Sequence, residues 1–149
     1  MLIPETIVIE RTVPEVWMNV VSSEQFRKWN EHLVGLETTG RFVQGQTFAA
    51  RYKLREKLLQ CICTVTALEE GRRLELLHAH CVGDGIDPRL SMRETITLAA
   101  DGNRTIVRKD VDIQHHGIPW PWYPLVWLIA RFGTPVAPNK LKRLCEDGV

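Results

Sequence analysis

Cys61, Cys63, His78 and His80 are the residues whose types and spacing most directly suggest chemistry. Each pair is spaced two apart within an apolar run, so on a strand its members project from one face. Between the runs lies "LEEGRRLEL" (residues 68–76), where Glu70 and Gly71 supply a turn. That turn sets Ala67 opposite Leu74, Val65 opposite Leu76, Cys63 opposite His78 and Cys61 opposite His80. Thr64, Thr66, Arg73 and Glu75 then fall on the other face, toward solvent. Two thiols and two imidazoles are a tetrahedral zinc set. A flat ladder, however, holds such Cβ atoms about 5–7 Å apart, which works against convergence on one ion. No metal is therefore expected. His78 and His80 read as polar lining or hydrogen-bonding groups, with plain packing as the competing reading, and the cysteines as reduced thiols.

A second constellation lies in the next hairpin. With Asp101 and Gly102 at its turn, Ile96 faces Val107, Arg93 faces Asp110 and Glu94 faces Lys109. The face carrying Met92, Glu94, Ile96 and Leu98 is the more apolar and should look inward, together with Lys109 and Val111. An inward glutamate and lysine need each other, water at an open end of the sheet, or a polar ligand group. Ligand anchoring and general acid/base work are both open to them. Tyr52 shares a face with Phe48, Ala50 and Leu54 and offers a hydroxyl. His115 and His116 read as loop histidines.

The elements that must hold these groups follow from periodicity. Residues 3–11 alternate as a strand. Thr12 with Glu15 is a capping box and Pro14 sits in a first turn, so a helix carries Val16, Trp17, Val20 and Val21 inward. Ser22 with Gln25 repeats the pattern for a second short helix to about Asn30, burying Phe26 and Trp29. Six further strands are predicted at 34–40, 46–54, 58–68, 73–81, 90–99 and 104–113, joined by turns into an antiparallel meander. Helical spacing returns with Leu125, Leu128, Ile129 and Phe132, then Leu141 and Leu144, with residues 133–138 expected to kink or interrupt the helix.

Three stretches carry a family resemblance: "IVIERTVPEVWMNVVSSEQFRKW" (7–29), "LEEGRRLEL" (68–76) and "NRTIVRKDV" (103–111). With the order strand, two short helices, six strands and C-terminal helix, the chain resembles the START and polyketide cyclase (SRPBCC) superfamily, which includes the birch pollen allergen relatives. The resemblance spans 1–149 and implies one α+β helix-grip domain. In it, a seven-stranded antiparallel sheet wraps around a long C-terminal helix and leaves an apolar cavity. The cavity lining is then expected from Tyr52, Cys63, Leu76, His78, His80, Met92, Glu94, Ile96, Lys109 and Val111. Trp120, Leu125 and Leu128 would come from the gripped helix and the loop roofing it.

The formal net charge is +1 and no basic block is present, which disfavours nucleic acid. No nucleotide or dinucleotide fingerprint appears, so no cofactor is expected. "GIPWPWYPLVWLIARFG" (117–133) is too short and proline-broken to span a bilayer, although its tryptophans suit peripheral contact. The amino terminus lacks the pattern of a signal peptide, and a cytoplasmic monomer or homodimer is expected. The leading functional expectation is binding of a small hydrophobic molecule such as a lipid, polyketide or aromatic metabolite. A cyclase- or dehydratase-like enzyme using the cavity His, Glu and Lys is the alternative, as is a carrier contacting a protein or membrane.

Overall fold

Local chemistry at residue 12 sets the entry of the chain into its helical layer. The Glu15 carboxylate accepts hydrogen bonds from the Thr12 backbone N–H at 2.9 Å and from the Thr12 hydroxyl at 3.0 Å, satisfying donors that a helix start leaves open. Helix α1 (Val13–Val21) follows, and α2 (Ser23–Trp29) begins at Ser22, whose hydroxyl accepts from the Gln25 N–H at 3.4 Å. Both helices turn Val16, Trp17, Val20, Val21, Phe26 and Trp29 into the core.

The computed structural model describes residues 1–149 apart from 31, 55, 133–136 and 149, and all the side chains of these but 54, 130–132 and 137–139. Strands β1 (Leu2–Ile9), β2 (Leu33–Leu36), β3 (Thr47–Leu54), β4 (Lys57–Glu69), β5 (Arg73–Val82), β6 (Ser91–Asp101) and β7 (Arg104–Gln114) form one sheet in the order β1-β7-β6-β5-β4-β3-β2. Every pairing is antiparallel. The sheet curls into a half-barrel, with α1, α2 and the C-terminal helix packed against it. Its inward side chains alternate along β4, where Leu59, Cys61, Cys63 and Val65 are buried, as a sheet with one face on a core requires. The second strand is shorter than the predicted 34–40.

Two registers differ from expectation, with opposite consequences. The β6–β7 turn centres on Gly102 and Asn103, with Asp101 opposite Arg104. Gly102 has φ +64°, and a first central position with positive φ is the place that type II′ hairpins reserve for glycine. Glu94 therefore faces Val111 and Lys109 faces Ile96. The shift is two residues, so every side chain keeps its face.

In β4–β5, Cys63 faces His78 and Val65 faces Leu76 as expected, but Ala67 faces Glu75 because a bulge intervenes between Val65 and Ala67. A second irregularity lies between Gln60 and Ile62, and opposite it His80 takes φ +51°. The extra residue reverses the alternation. His80 becomes exposed and Cys81 turns inward to form a disulfide with Cys61, their Cα atoms 4.2 Å apart. The reduced-thiol expectation is corrected for this pair, while Cys63 and Cys145 are free.

The expected long C-terminal helix is two helices, α3 (Tyr123–Phe132) and α4 (Ala137–Asp147), with a 3₁₀ turn at Trp120–Trp122 before them. Of the interruption expected at 133–138, residues 133–136 lie outside the described ones. The gripped element is α4. Its Leu141 is 2% exposed, Arg11 donates to the Glu146 carbonyl at 2.7 Å, and Lys142 donates to the Val8 carbonyl at 2.8 Å. Helix α3 meets the opposite end of the same edge strand β1, where the Trp127 indole N–H donates to the Leu2 carbonyl at 2.7 Å. Pro119, Pro121 and Pro124 withhold helical hydrogen bonds at its approach and delay its start. No helix among the described residues is long and apolar enough to cross a membrane.

Candidate functional site: a polar chain in a cavity

The inner face of β3–β7 carries a linked set of polar side chains where apolar ones would pack. Tyr52 on β3 places its hydroxyl 3.1 Å from Nδ1 and 3.2 Å from Nε2 of His78 on β5. His78 Nε2 lies 3.5 Å from one Glu94 carboxylate oxygen, and Lys109 Nζ lies 3.0 Å from the other. The Lys109 ammonium also stands 5.4 Å from the centre of the Trp29 ring, a cation–π distance. Tyr52, His78 and Glu94 are buried and Lys109 is partly so.

This chain borders a half-open cavity of about 120 Å³ lined by Asn30, His32, Tyr52, His78, Met92, Glu94, Lys109 and Val111. A smaller hollow of about 40 Å³ shares Asn30, His32 and Lys109 with it and is closed by Ile7, Trp29, Ile96, Val107 and Leu141 among others. Lys109 thus stands between the two.

The electrostatics follow from burial and pairing. Burial works to raise the Glu94 carboxyl, but the Lys109 charge, and then the His78 imidazole, outweigh it and hold it down at about 2. Glu94 is a carboxylate at neutral pH. Burial, then the Glu94 charge and then Cys63, pushes the Tyr52 phenol well above its usual range, so its hydroxyl stays protonated. Burial, reinforced by Glu94, likewise pushes the Cys63 thiol up, making it a poor nucleophile. The cavity therefore presents a phenol O–H, an imidazole and an ammonium compensated by a carboxylate. Such a set orients an oxygen-bearing molecule and can relay a proton.

Of the residues expected at the cavity, the structure brings together Tyr52, His78, Met92, Glu94, Lys109 and Val111. Cys63 and Leu76 are buried in the core beside them, Cys63 opposite His78 and Leu76 opposite Glu94, and Ile96 lines the smaller hollow. His80 is turned out by its bulge. Trp120, Leu125 and Leu128 do not roof the cavity, being 84%, 49% and 47% exposed, because α4 rather than α3 fills the grip. The cysteine–histidine tetrad is dispersed, and no group of three or more His, Cys, Asp or Glu able to hold a metal occurs among the described residues. Asn30 and His32 were not singled out from the sequence. Their only signal was their position just after the inward Trp29.

The curled seven-stranded antiparallel sheet with its helices is a START-like fold. A START superfamily protein from Mycobacterium smegmatis superposes with a TM-score of 0.76 at 15% identity, over 99% of each chain. The Aha1 dimer from Colwellia psychrerythraea matches at 0.63 and 16% identity, over 99% of this chain and 98% of that one. DynU16, a protein in the dynemicin biosynthetic locus, matches at 0.65 and 18% identity over 99% of this chain, which spans 48% of DynU16. No family model and no curated protein matches the sequence.

Proposed function

We propose that the protein binds a small, largely apolar molecule carrying an oxygen acceptor, seated in the cavity between β3–β7 and the loop after α2. The observation that carries this reading is the Tyr52–His78–Glu94–Lys109 chain at the wall of a cavity whose remaining lining is Met92 and Val111 together with Asn30 and His32 at the loop after α2. Pockets that bind small molecules combine such apolar walls with a few convergent polar groups. The size limits the guest. At about 120 Å³ the space approaches that of a dry cavity of about 150 Å³ that admits benzene. A single ring fits inside, as does one ring of a naphthol-sized molecule or the head of a longer lipid or polyketide, the remainder leaving through the half-open mouth. Tyr52 and Lys109 would donate to its oxygen. The START-like fold and the likeness to DynU16 support a ligand-binding or cyclase-like role at this coarse level.

Native mass spectrometry of the purified protein, with organic extraction, tests this, alongside titration with a naphthol fluorophore. Met92→Trp, which fills the cavity, is expected to abolish both co-purified adduct and naphthol binding; Val111→Phe serves if Met92→Trp does not fold. Equal binding by wild type and a folded cavity-filled variant overturns the proposal, as does no binding by wild type.

The position of His78, between the Tyr52 hydroxyl and the ionised Glu94, also favours a second reading. In it His78 moves protons within a cyclase- or dehydratase-like enzyme. Turnover of a candidate polyketide that survives both His78→Ala and Glu94→Gln would dispose of it.

A further inference from the structure

Hydrogen bonds in the cavity chain run in one direction, and that direction selects what the site can take. Glu94 is a carboxylate and can only accept. His78 Nε2 faces Glu94 Oε2 at 3.5 Å, so in the neutral ring this nitrogen carries the hydrogen; bare, it would set one lone pair against another. A neutral imidazole has a single N–H, which leaves Nδ1 as an acceptor. The Tyr52 hydroxyl lies 3.1 Å from Nδ1 and gives its one proton to it. Were the Nε2 hydrogen to turn to Tyr52 instead, 3.2 Å away, Nδ1 and the Glu94 oxygen would both go unanswered in a buried place, which is costly. Toward the cavity, then, the phenol shows lone pairs.

A guest bearing a hydroxyl suits this arrangement, because it can donate to Tyr52 and accept from Lys109. A ketone or ester oxygen has no proton and meets an opposing lone pair at Tyr52. For Tyr52 to donate to such an oxygen, its proton must be released from His78. One proton taken from solvent onto Nδ1 does this: the imidazolium donates from Nδ1 to the phenol oxygen and from Nε2 to Glu94, and the phenol O–H turns to the guest. The groups around the ring are suited to it. Glu94 of β6 favours the imidazolium, and Lys109 of β7 opposes it but is paired with Glu94 at 3.0 Å. Tyr52 of β3 and Cys63 of β4, which faces His78 across the ladder, are held protonated by burial. His32, in the loop after α2, lines the same cavity and is the other imidazole there.

We propose that His78 sets the chemical class of the guest: with its ring neutral the cavity takes hydroxyl compounds, and it takes a carbonyl compound only together with a proton bound at Nδ1. This deepens the cavity reading and rests on it.

The test uses acetophenone and its alcohol, methylphenylcarbinol, one skeleton whose oxygen is an acceptor alone or a donor and acceptor. Each displaces the naphthol fluorophore from wild type between about pH 5 and 8. Because a proton enters with the ketone, acetophenone should weaken about tenfold for each pH unit above the point at which free His78 loses its proton, whereas the alcohol should hold nearly level. Heteronuclear NMR of the His78 ring nitrogens in wild type should show Nδ1 bare in the free and alcohol-bound protein and protonated with acetophenone. His78→Gln, whose amide can donate to Glu94 and accept from Tyr52 but gains no proton, should lose the acetophenone slope; the NMR measurement serves if it does not fold. His32→Gln, whatever its effect on affinity, should keep the slope. The proposal is overturned if acetophenone binds equally across the range or at no pH, if the alcohol follows the same slope, if Nδ1 stays bare with acetophenone bound, or if the slope vanishes in His32→Gln and survives in His78→Gln. In each of those cases naphthol binding by wild type leaves the cavity reading standing; its absence overturns both.

Discussion

Two glutamates on neighbouring strands, Glu75 of β5 and Glu94 of β6, are almost equally hidden, at 6% and 5% exposure, yet lie on opposite faces of the sheet. Glu75 is on the outer face. It accepts from the Thr66 hydroxyl at 3.0 Å, pairs with Arg73, and lies 3.3 Å from Arg93, whose side chain is 54% exposed. Its cover is guanidinium and methylene reaching over from solvent. Glu94 is held from within by one lysine and one histidine. Its Oε1, though 3.0 Å from Lys109 Nζ, lacks a hydrogen bond of good alignment. An outer carboxylate closed off by several partners holds strands together. An inner one with unused acceptor capacity beside a cavity is equipped for a guest, at a cost in stability.

The comparison breaks most visibly at Lys109. Lys109→Met removes the only full cation paired with Glu94 among the described residues and leaves a buried carboxylate, for which about 3–5 kcal/mol of destabilisation is expected. Urea unfolding measures it. Lys109→Met/Glu94→Leu, which removes both charges, should recover most of the loss. If the single variant costs less than about 1 kcal/mol, water reaches Glu94 and the two glutamates do not differ as described.

Acid sharpens the same contrast. The folded Glu94 carboxyl is held at about 2, below the value of about 4.3 for an unfolded glutamate. Its stabilising contribution is therefore complete above about pH 5 and is lost as pH falls through the unfolded and then the folded value. The loss is on the order of 3 kcal/mol. In Glu94→Gln the fall in stability between about pH 5 and 2 should be shallower by that order, as followed by denaturant midpoints across the range. An unchanged slope would mean that Lys109 and His78 do not hold the charge.

How far these features were legible in the sequence depends on which physical signal carried each. The inward face of Glu94, Met92, Lys109 and Val111 was readable because strand alternation has a period of two, and a turn displaced by two residues leaves it intact. The reversal at His80 was not, since a non-glycine residue at positive φ leaves no mark in composition. It cost one expected site residue and created the Cys61–Cys81 pair. Asn30 and His32 reach the cavity from a loop, where no periodicity fixes direction. The C-terminal region misled differently. The apolar run around Leu125 and Leu128 looked like the gripped helix, but hydrophobicity does not say which surface covers it, and the more polar α4 took the place through Leu141.

The smallest effect completes the comparison from the outer face. Glu75→Gln keeps the shape and an acceptor oxygen for the Thr66 hydroxyl but removes the charge facing Arg73 and Arg93. Those side chains are 38% and 54% exposed, so they can turn to water and leave no buried cation behind. A cost of about 1 kcal/mol is expected, as for partly exposed pairs, with naphthol binding unchanged because the side chain is on the face away from the cavity. Urea unfolding and the naphthol titration together decide the matter. A cost as large as that of Lys109→Met would place Glu75 in the same desolvated class as Glu94, and weakened naphthol binding would mean that the two faces of the sheet are coupled.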